Sequence, residues 1–175
     1  YYVNKSTYER GNCMYQPYTY LNYYWAHIPA RYPDHYKEYI DIRDYGPEPF
    51  VINIEDAAKQ NRTFRTALWT GEHLQLTLMS INVGDDIGLE VHPNTDQFLR
   101  IEEGCGLVMM GDRRDNLYYQ RRVRDNYAIF IPAGTWHNLI NIGHKPIKLY
   151  SIYAPPVHPH GTIHKTKEDE EHHEY

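Results

Sequence analysis

The stretch GLEVHPNTDQFLRIEEG, residues 88–104, combines a predicted β-hairpin with three polar side chains of unusual placement. In a strand, residues i and i+2 point to the same face, so Glu90 and His92 are expected to project together. The strand that follows the HPNTD turn should pair back on the first, which would bring Gln97 close to His92. The stretch therefore predicts a carboxylate, an imidazole and an amide at one place on a sheet.

A second stretch, IPAGTWHNLIN at residues 131–141, has a tight Pro132–Gly134 turn followed by His137 at the start of a strand. If His137 faces His92 across the interior, nitrogen and oxygen donors would surround a position suited to Mn²⁺, Fe²⁺, Zn²⁺, Co²⁺ or Ni²⁺. The alternative is that these are ordinary polar residues near strand ends. Periodicity alone does not decide between the two interpretations.

The β signal extends from about residue 63 to residue 154. Leu74, Leu76 and Leu78 alternate with polar residues, as expected for a strand with two different faces. Gly, Asp and Asn turns separate short segments at nearly even spacing, which favours an antiparallel sandwich or barrel. The predicted strands are FRTALWT, HLQLTLMSI, IGLEVH, DQFLRIEEG, GLVMMG, LYYQRRVR, AIFIPA, WHNLINI and IKLYSIYA.

The flanking regions differ from this domain, which we place at residues 49–156. Residues 1–48 hold 12 of the 18 tyrosines and several prolines, so we expect an extension that wraps on its own domain or on a neighbouring subunit, with a short helix within ARYPDHYKEYIDI. IEDAAKQN, residues 54–61, predicts a short helix ended by its asparagine. Residues 157–175 are expected to form a polar, solvated tail whose five histidines have no fixed geometry.

The bulk composition narrows the function classes. A formal net charge of -5 gives no electrostatic reason to expect nucleic acid or an anionic membrane as a partner. No apolar run reaches the roughly 18 residues of a membrane span, and the first residues lack the apolar core of a signal peptide. We therefore expect a cytoplasmic protein in which Cys13 and Cys105 are reduced thiols.

The hairpin stretch resembles the first signature motif of the cupin superfamily. That motif has a glycine, five residues, HxH, three or four residues, a glutamate, six residues and a glycine. The chain has Gly84, then Glu90 and His92 around one residue, then Gln97 and Gly104 at the same spacing. The resemblance implies an all-β jelly-roll barrel, also called a double-stranded β-helix, with a divalent metal ion at its mouth.

The second stretch resembles the second cupin motif, which has a glycine, five residues, PxG, two residues, a histidine, three residues and an asparagine. Asn126, Pro132, Gly134, His137 and Asn141 occupy its positions. The chain is most similar to small single-domain bacterial cupins, a group loosely labelled mannose-6-phosphate isomerase-like on grounds of fold rather than chemistry. This resemblance also implies a homodimer or higher homo-oligomer.

The chain departs from the family pattern at three positions. Glu90 stands in place of the first histidine, Gln97 in place of the glutamate, and Asn126 in place of a turn glycine, a mild change because asparagine tolerates positive φ. The resemblance implies four metal-ligand positions, Glu90, His92, Gln97 and His137. Their formal charge equals that of the usual three-histidine, one-glutamate set, but the neutral amide should weaken binding or alter metal selectivity.

Other residues have two open interpretations. Trp136 and Phe98 could line a pocket or belong to the core, and Arg100 could hold an anionic substrate or lie on the surface. His73 and Gln75 share a predicted strand and could approach the cavity or lie on the surface.

Two functions remain open. The protein could be a metal-dependent enzyme or binding protein for a small molecule, with isomerase, lyase or dioxygenase chemistry all compatible with this scaffold. It could instead be a self-assembling component, of spore-coat or cell-surface type, that uses its tyrosine-rich arm for subunit contacts.

Overall fold

The computed structural model describes residues 39–171, which form nine strands and two short helices. The strands are β1 (Arg65–Thr70), β2 (Gln75–Ile81), β3 (Asp96–Glu103), β4 (Cys105–Gly111), β5 (Tyr119–Arg124), β6 (Ala128–Ile131), β7 (Trp136–Asn141), β8 (Ile147–Ala154) and β9 (Ile163–His164). The helices are α1 (Ile54–Gln60) and α2 (Lys167–Glu171). The predicted all-β fold class and the helix at residues 54–60 are confirmed.

The strands form two antiparallel sheets. One has six strands in the order β6-β3-β8-β2-β1-β9, and the other has three in the order β5-β4-β7. In the first sheet β8 lies between β2 and β3, with Tyr153 opposite both Gln75 and Gln97. From β3 to β8 the chain crosses between the sheets four times, after β3, β5, β6 and β7, as in a double-stranded β-helix.

The interior is apolar at one end and polar at the other. Its apolar part is built by inward residues such as Met79, Leu99 and Leu149, which are at most 1% exposed. Truncating such a residue to alanine typically costs about 2 to 5 kcal/mol. The same strand faces carry Gln75 and Thr77 at the other end, also buried. The site described below lies at this polar end.

Helix α1 covers the outer face of the large sheet. Its N-cap is Asn53, whose side chain accepts a hydrogen bond from the Asp56 N–H, and the chain leaves the helix at Asn61. Ala57 and Ala58 are fully buried and belong to the cluster that includes the outward-facing Leu78. The small alanine side chains let the helix approach the sheet closely, and this contact removes the apolar face of β2 from water.

Residues 39–50, which we predicted to belong mainly to the N-terminal extension, pack on the barrel. The Tyr45 N–H donates to the Leu68 carbonyl at 2.8 Å, and the Trp69 indole donates to the Glu48 carbonyl at 2.8 Å. The predicted helix in ARYPDHYKEYIDI lies mostly outside the described residues, and residues 39–42 are not helical. The rest of the tyrosine-rich region lies outside them too.

The prediction of a continuous strand at IGLEVH, residues 87–92, is wrong. Within residues 87–92 only Glu90 forms a bridge, to His137, and Asp86, just before the segment, forms another, to Ile140. Gly84 and Gly88 have φ angles of 82° and 90°, which interrupt the continuous strand conformation. The segment therefore touches β7 at separate points, and one of them is the centre of the candidate site.

The C-terminal segment also differs from the expected solvated tail within the described residues. β9 pairs with β1, where His164 lies opposite Arg65. His164 and Glu170 are only 6% and 8% exposed. Lys167 forms an ion pair with Asp86. Residues 157–170 are thus fastened to the barrel by a short strand and by charged groups.

Asn126, which replaces the family's turn glycine, has a φ of 71° between β5 and β6. This left-handed conformation is the one a glycine would supply, and asparagine is among the few other residues that adopt it readily. The Asn126 side chain also accepts a hydrogen bond from Arg100 at 3.0 Å. The substitution therefore preserves the turn.

Candidate metal centre at the polar end of the barrel

Glu90 and His137 are held together by their backbones. The Glu90 N–H donates to the His137 carbonyl at 3.1 Å, and the His137 N–H donates to the Glu90 carbonyl at 2.9 Å. Their side chains project to the same side, with Glu90 Oε1 3.1 Å from His137 Nε2. The isolated bridge thus fixes a carboxylate beside an imidazole that is 1% exposed.

His92 completes the cluster from the same segment as Glu90. Its Nε2 lies 3.4 Å from Glu90 Oε1, and its ring centroid is 5.6 Å from that of His137. The ligand atoms of Glu90, His92 and His137 all lie within 4.8 Å of one another. The structure therefore brings together three of the four residues that the sequence predicted as ligands.

The proton arrangement of His137 follows from its second ring nitrogen. Nδ1 lies 2.9 Å from the Thr135 carbonyl oxygen, which can only accept, so Nδ1 carries a proton. In the neutral ring, Nε2 is then an acceptor that faces the acceptor Oε1 of Glu90. Two such atoms 3.1 Å apart need a cation between them, either a proton or a metal ion.

The electrostatic surroundings keep Glu90 ionised. Burial alone would raise the pKa of this carboxyl, but the adjacent imidazoles of His137 and His92 and the charge of Arg65 outweigh that effect. The net result is a pKa well below the usual range. An ionised carboxylate is the form that coordinates a metal ion.

Gln97 lies at the centre of the large sheet, on the inward face of β3, and is 3% exposed. Its Nε2 donates to Ser151 Oγ at 3.1 Å. Its Oε1 is buried and has no hydrogen-bond partner among the described residues. The role of Gln97 as a ligand stays a prediction.

A buried polar group borders the cluster. Tyr153 is fully buried, its ring edge contacts His92 at a centroid distance of 5.5 Å, and its hydroxyl receives a hydrogen bond from Arg65. Burial raises the pKa of Tyr153 to about 12, against the opposing effect of Arg65. Arg65 Nε also lies 2.7 Å from Glu170 Oε1, so a carboxylate of the C-terminal segment balances the charge of the guanidinium.

A cavity of about 690 Å³ opens above the cluster. Its lining includes Glu90, His92 and Trp136 together with the segment 157–164, which we term the roof. This volume falls within the range of small-molecule sites, which is about 300 to 1,000 Å³. The cavity and the cluster together have the form of a ligand site.

The other sequence candidates occupy different places. Trp136 lines the cavity, whereas Phe98 lies on the outer face of the sheet against Phe130 at a centroid distance of 5.1 Å. Arg100 is also on the outer face, paired with Glu102 at 3.0 Å, and does not line the cavity. The side chain of His73 is 86% exposed.

Sequence reasoning missed Arg65, Tyr153 and His158. An arginine at the start of the apolar segment RTALWT was a signal for a buried charge, since arginine is rarely buried without a partner. The prolines around His158, in PPVHPHG, were a signal for a fixed loop rather than a solvated tail.

Comparison with known proteins shows the family of this chain. Residues 77–153 match the family described as the cupin domain. Over 128 residues the chain is 66% identical to the uncharacterized protein YrkC of Bacillus subtilis, covering 73% of this chain and 69% of that protein. The chain belongs to the cupin family.

Two solved structures agree with the fold. The crystal structure of BH2720 from Bacillus halodurans is 67% identical, with a TM-score of 0.74, over 75% of this chain and 99% of that one. TT1209 from Thermus thermophilus, at 21% identity and a TM-score of 0.52, covers 60% of this cupin and 96% of its own chain, and shows the fold alone. Within residues 39–171, no helix of this cupin is long and apolar enough to cross a membrane.

Proposed function

We propose that this cupin binds one divalent transition-metal ion through Glu90, His92, His137 and Gln97, and binds a small molecule at that ion in the cavity above it. One observation carries the proposal, namely the spacing of the donor atoms. With bonds of about 2.0 to 2.2 Å, neighbouring ligand atoms of one ion lie about 3.0 to 3.4 Å apart. Glu90 Oε1 lies 3.1 Å from His137 Nε2 and 3.4 Å from His92 Nε2.

Two buried atoms without partners support the same proposal. His92 Nε2 and Gln97 Oε1 make no hydrogen bond of good geometry within the described part of the chain. An unpaired buried polar atom costs roughly 1 to 3 kcal/mol, so such atoms call for a ligand or an ordered water. A metal ion would satisfy both of them and would also separate the facing acceptors of Glu90 and His137.

The donor set favours Mn²⁺, Fe²⁺, Zn²⁺, Co²⁺ or Ni²⁺, because it has imidazole nitrogens and oxygen atoms but no thiolate. A bound ion would supply Lewis acidity to an oxygen of the small molecule. The protein side chains would hold this ion, and the roof of the cavity would exclude bulk water. The proposal covers binding of the small molecule, and conversion of that molecule is a further possibility that the scaffold permits.

The test is metal analysis of protein purified without a histidine tag, followed by titration with Mn²⁺ and Zn²⁺. The wild type should hold one ion per chain, and Glu90→Ala and His137→Ala should each weaken binding by at least about tenfold. His73→Ala is the matched control, since that histidine is exposed and remote from the cluster. Unchanged stoichiometry and affinity in both site variants would contradict the proposal.

The self-assembly alternative depends mainly on the tyrosine-rich region, most of which lies outside the described residues. It is tested by comparing the size in solution of the full chain with that of a chain beginning at Lys37, where the compact barrel unit begins. Two species of the same number of subunits would exclude the arm as the assembly element. The predicted homodimer is tested by the same measurement.

A further inference from the structure

One buried side chain binds the beginning of the cavity roof, at residues 157–158. Gln75 is fully buried, and its Oε1 accepts hydrogen bonds from the N–H groups of Val157 and His158 at 3.3 and 3.0 Å. Its Nε2 donates to the His158 carbonyl at 2.8 Å and to Thr70 Oγ1 at 3.0 Å. The backbone of His158 is therefore bound on both sides, and its imidazole has a defined position.

The His158 ring shares a neighbour with the metal cluster. Its centroid lies 5.2 Å from that of Tyr153, whose ring contacts His92 at 5.5 Å. His158 lines the cavity together with Glu90 and His92, and its Nε2 has no hydrogen-bond partner among residues 39–171. The His158 ring thus lines the same cavity as two predicted metal ligands and carries a nitrogen without a partner among the described residues.

The charges around the cavity limit what it can hold. Its lining residues include two glutamates and four histidines but no lysine or arginine. Arg65 is enclosed and paired with Glu170, and Arg114 lies over the Trp136 ring at 5.9 Å. Phosphate sites usually use arginine, lysine or a helix N-terminus, and none of these groups lines this cavity.

We propose that the cavity binds a hydroxylated small molecule with at most one negative charge, that His158 is a hydrogen-bonding group for it, and that phosphorylated molecules are disfavoured. The inference rests on the proposed metal site, since a dipositive ion coordinated by a single carboxylate, that of Glu90, leaves one positive charge for a ligand to neutralise. A second anionic group would have no cation near it within the cavity.

The protonation of His158 agrees with this geometry. Burial, assisted by the nearby charge of Arg65, lowers its pKa to about 3, so the ring is neutral at physiological pH. A neutral imidazole nitrogen can donate to or accept from a hydroxyl group, depending on its tautomer. It provides little attraction for a phosphate, which a charged imidazolium would attract.

Gluconate, 6-phosphogluconate and hexanoate are suitable probes, since they share a six-carbon chain and a carboxylate. Compared with hexanoate, gluconate has a hydroxyl group on each of its other five carbons. The compound 6-phosphogluconate also carries a phosphate on the last carbon. Binding to the Mn²⁺-loaded protein is followed by water-proton relaxation, with metal retention checked by dialysis. The wild type should bind gluconate at least fivefold more tightly than either of the other two compounds.

The variants are His158→Leu and His158→Gln, with His73→Gln as the exposed control. His158→Leu should reduce the affinity for gluconate at least fivefold, change that for hexanoate less than twofold, and leave Mn²⁺ affinity unchanged. His158→Gln, which can still hydrogen-bond, should recover part of the loss. An absence of Mn²⁺ binding would reject the proposed metal site itself and is thereby distinguished from failure of this inference.

Three results would overturn the inference while metal binding holds. They are binding of 6-phosphogluconate as tight as that of gluconate, no detectable binding of gluconate at millimolar concentration, and an equal effect of His158→Leu on gluconate and hexanoate. The last comparison is a double-mutant-type cycle in which His158 is removed from the protein and the hydroxyl groups are removed from the ligand. It therefore separates their direct interaction from a general loosening of the roof.

Discussion

The side-chain amide of Gln75 binds both the N–H and the C=O of His158, at 3.0 and 2.8 Å, across 83 residues of sequence. This single amide connects an inward position of β2 with the segment that lines the cavity beside Glu90 and His92. Because Gln75 is fully buried, its hydrogen bonds do not compete with water. The order of the cavity roof therefore depends on a residue in the barrel wall.

Replacing Gln75 should loosen this roof. We expect Gln75→Leu to lower the free energy of unfolding by about 2 to 4 kcal/mol, because several backbone groups of residues 157–158 lose their partners. Amide hydrogen exchange should become faster in residues 155–164 and remain slow in β3 and β8. Denaturant unfolding and exchange mass spectrometry measure the two effects. His73→Leu, at an exposed position nearby in sequence, is the control, and an equal change there would contradict the prediction.

Gln97 offers a test of the unusual ligand set. If its Oε1 binds the metal, Gln97→Glu should tighten the binding of Mn²⁺ or Zn²⁺ by about tenfold, because a carboxylate is a stronger ligand than an amide. Gln97→Leu should weaken binding by a similar factor. Competition titration with a chelator measures both affinities. Opposite signs for the two variants are required, and equal weakening by both would indicate that Gln97 only packs beside the site.

The sequence predicted the barrel well because its turns carry strong local signals. The positive φ at Gly104 and Asn126 lies at the ends of strands, as the motif spacing implied. The alternation in β2 was also correctly recognised. Its consequence was less obvious, because the leucine face packs on α1, whereas Gln75 and Thr77 face the barrel interior. Alternation shows that a strand has two faces but does not show which one faces a cavity.

Long-range contacts account for what sequence reasoning missed. Glu90, His92 and His137 could be grouped because the motif spacing connects them. His158 meets Gln75 only when β8 has placed residues 155–164 over the barrel, and Glu170 meets Arg65 only when β9 has paired with β1. Polar residues at a chain end look solvated when such partners, about 80 to 100 residues away, are not known.

Asp44 should make stability depend on pH in the acidic range. Burial would raise its pKa, but hydrogen bonds from Thr70 Oγ1 at 2.6 Å and from the N–H groups of Gly161 and Gly46, both at 3.0 Å, lower it below the usual 3.8. A lowered pKa in the folded state adds stability above pH 4, and this contribution is lost as the pH falls through the lowered value.

We therefore expect Asp44→Asn to cost about 1 to 3 kcal/mol at pH 7. The difference from the wild type should shrink as the pH falls below 4. Denaturant unfolding at a series of pH values from 7 to 3 provides the measurement. Asp41→Asn is the control, since the Asp41 side chain is 67% exposed. A difference that stays constant down to pH 3 would show that the Asp44 charge is not responsible.

Glu170 tests whether the C-terminal segment is part of the folded barrel. Its carboxylate lies 2.7 Å from Nε of Arg65, whose side chain is fully buried. Burial would lower the pKa of the guanidinium, but the interactions with Tyr153 and Glu170 raise it above its usual value. Glu170→Ala leaves a buried charge without this compensation, which typically costs about 3 to 5 kcal/mol. Thermal and denaturant unfolding of the metal-free protein measure the loss.

Glu168→Ala is the matched control for this last prediction, because Glu168 lies on the same helix, α2, but is exposed. Its substitution should leave the free energy of unfolding nearly unchanged, as for other surface substitutions. The double variant Arg65→Met, Glu170→Met should be more stable than Glu170→Ala, because it removes both charges instead of leaving one unpaired in the interior. Equal stability of Glu168→Ala and Glu170→Ala would mean that α2 contributes no buried ion pair to the barrel.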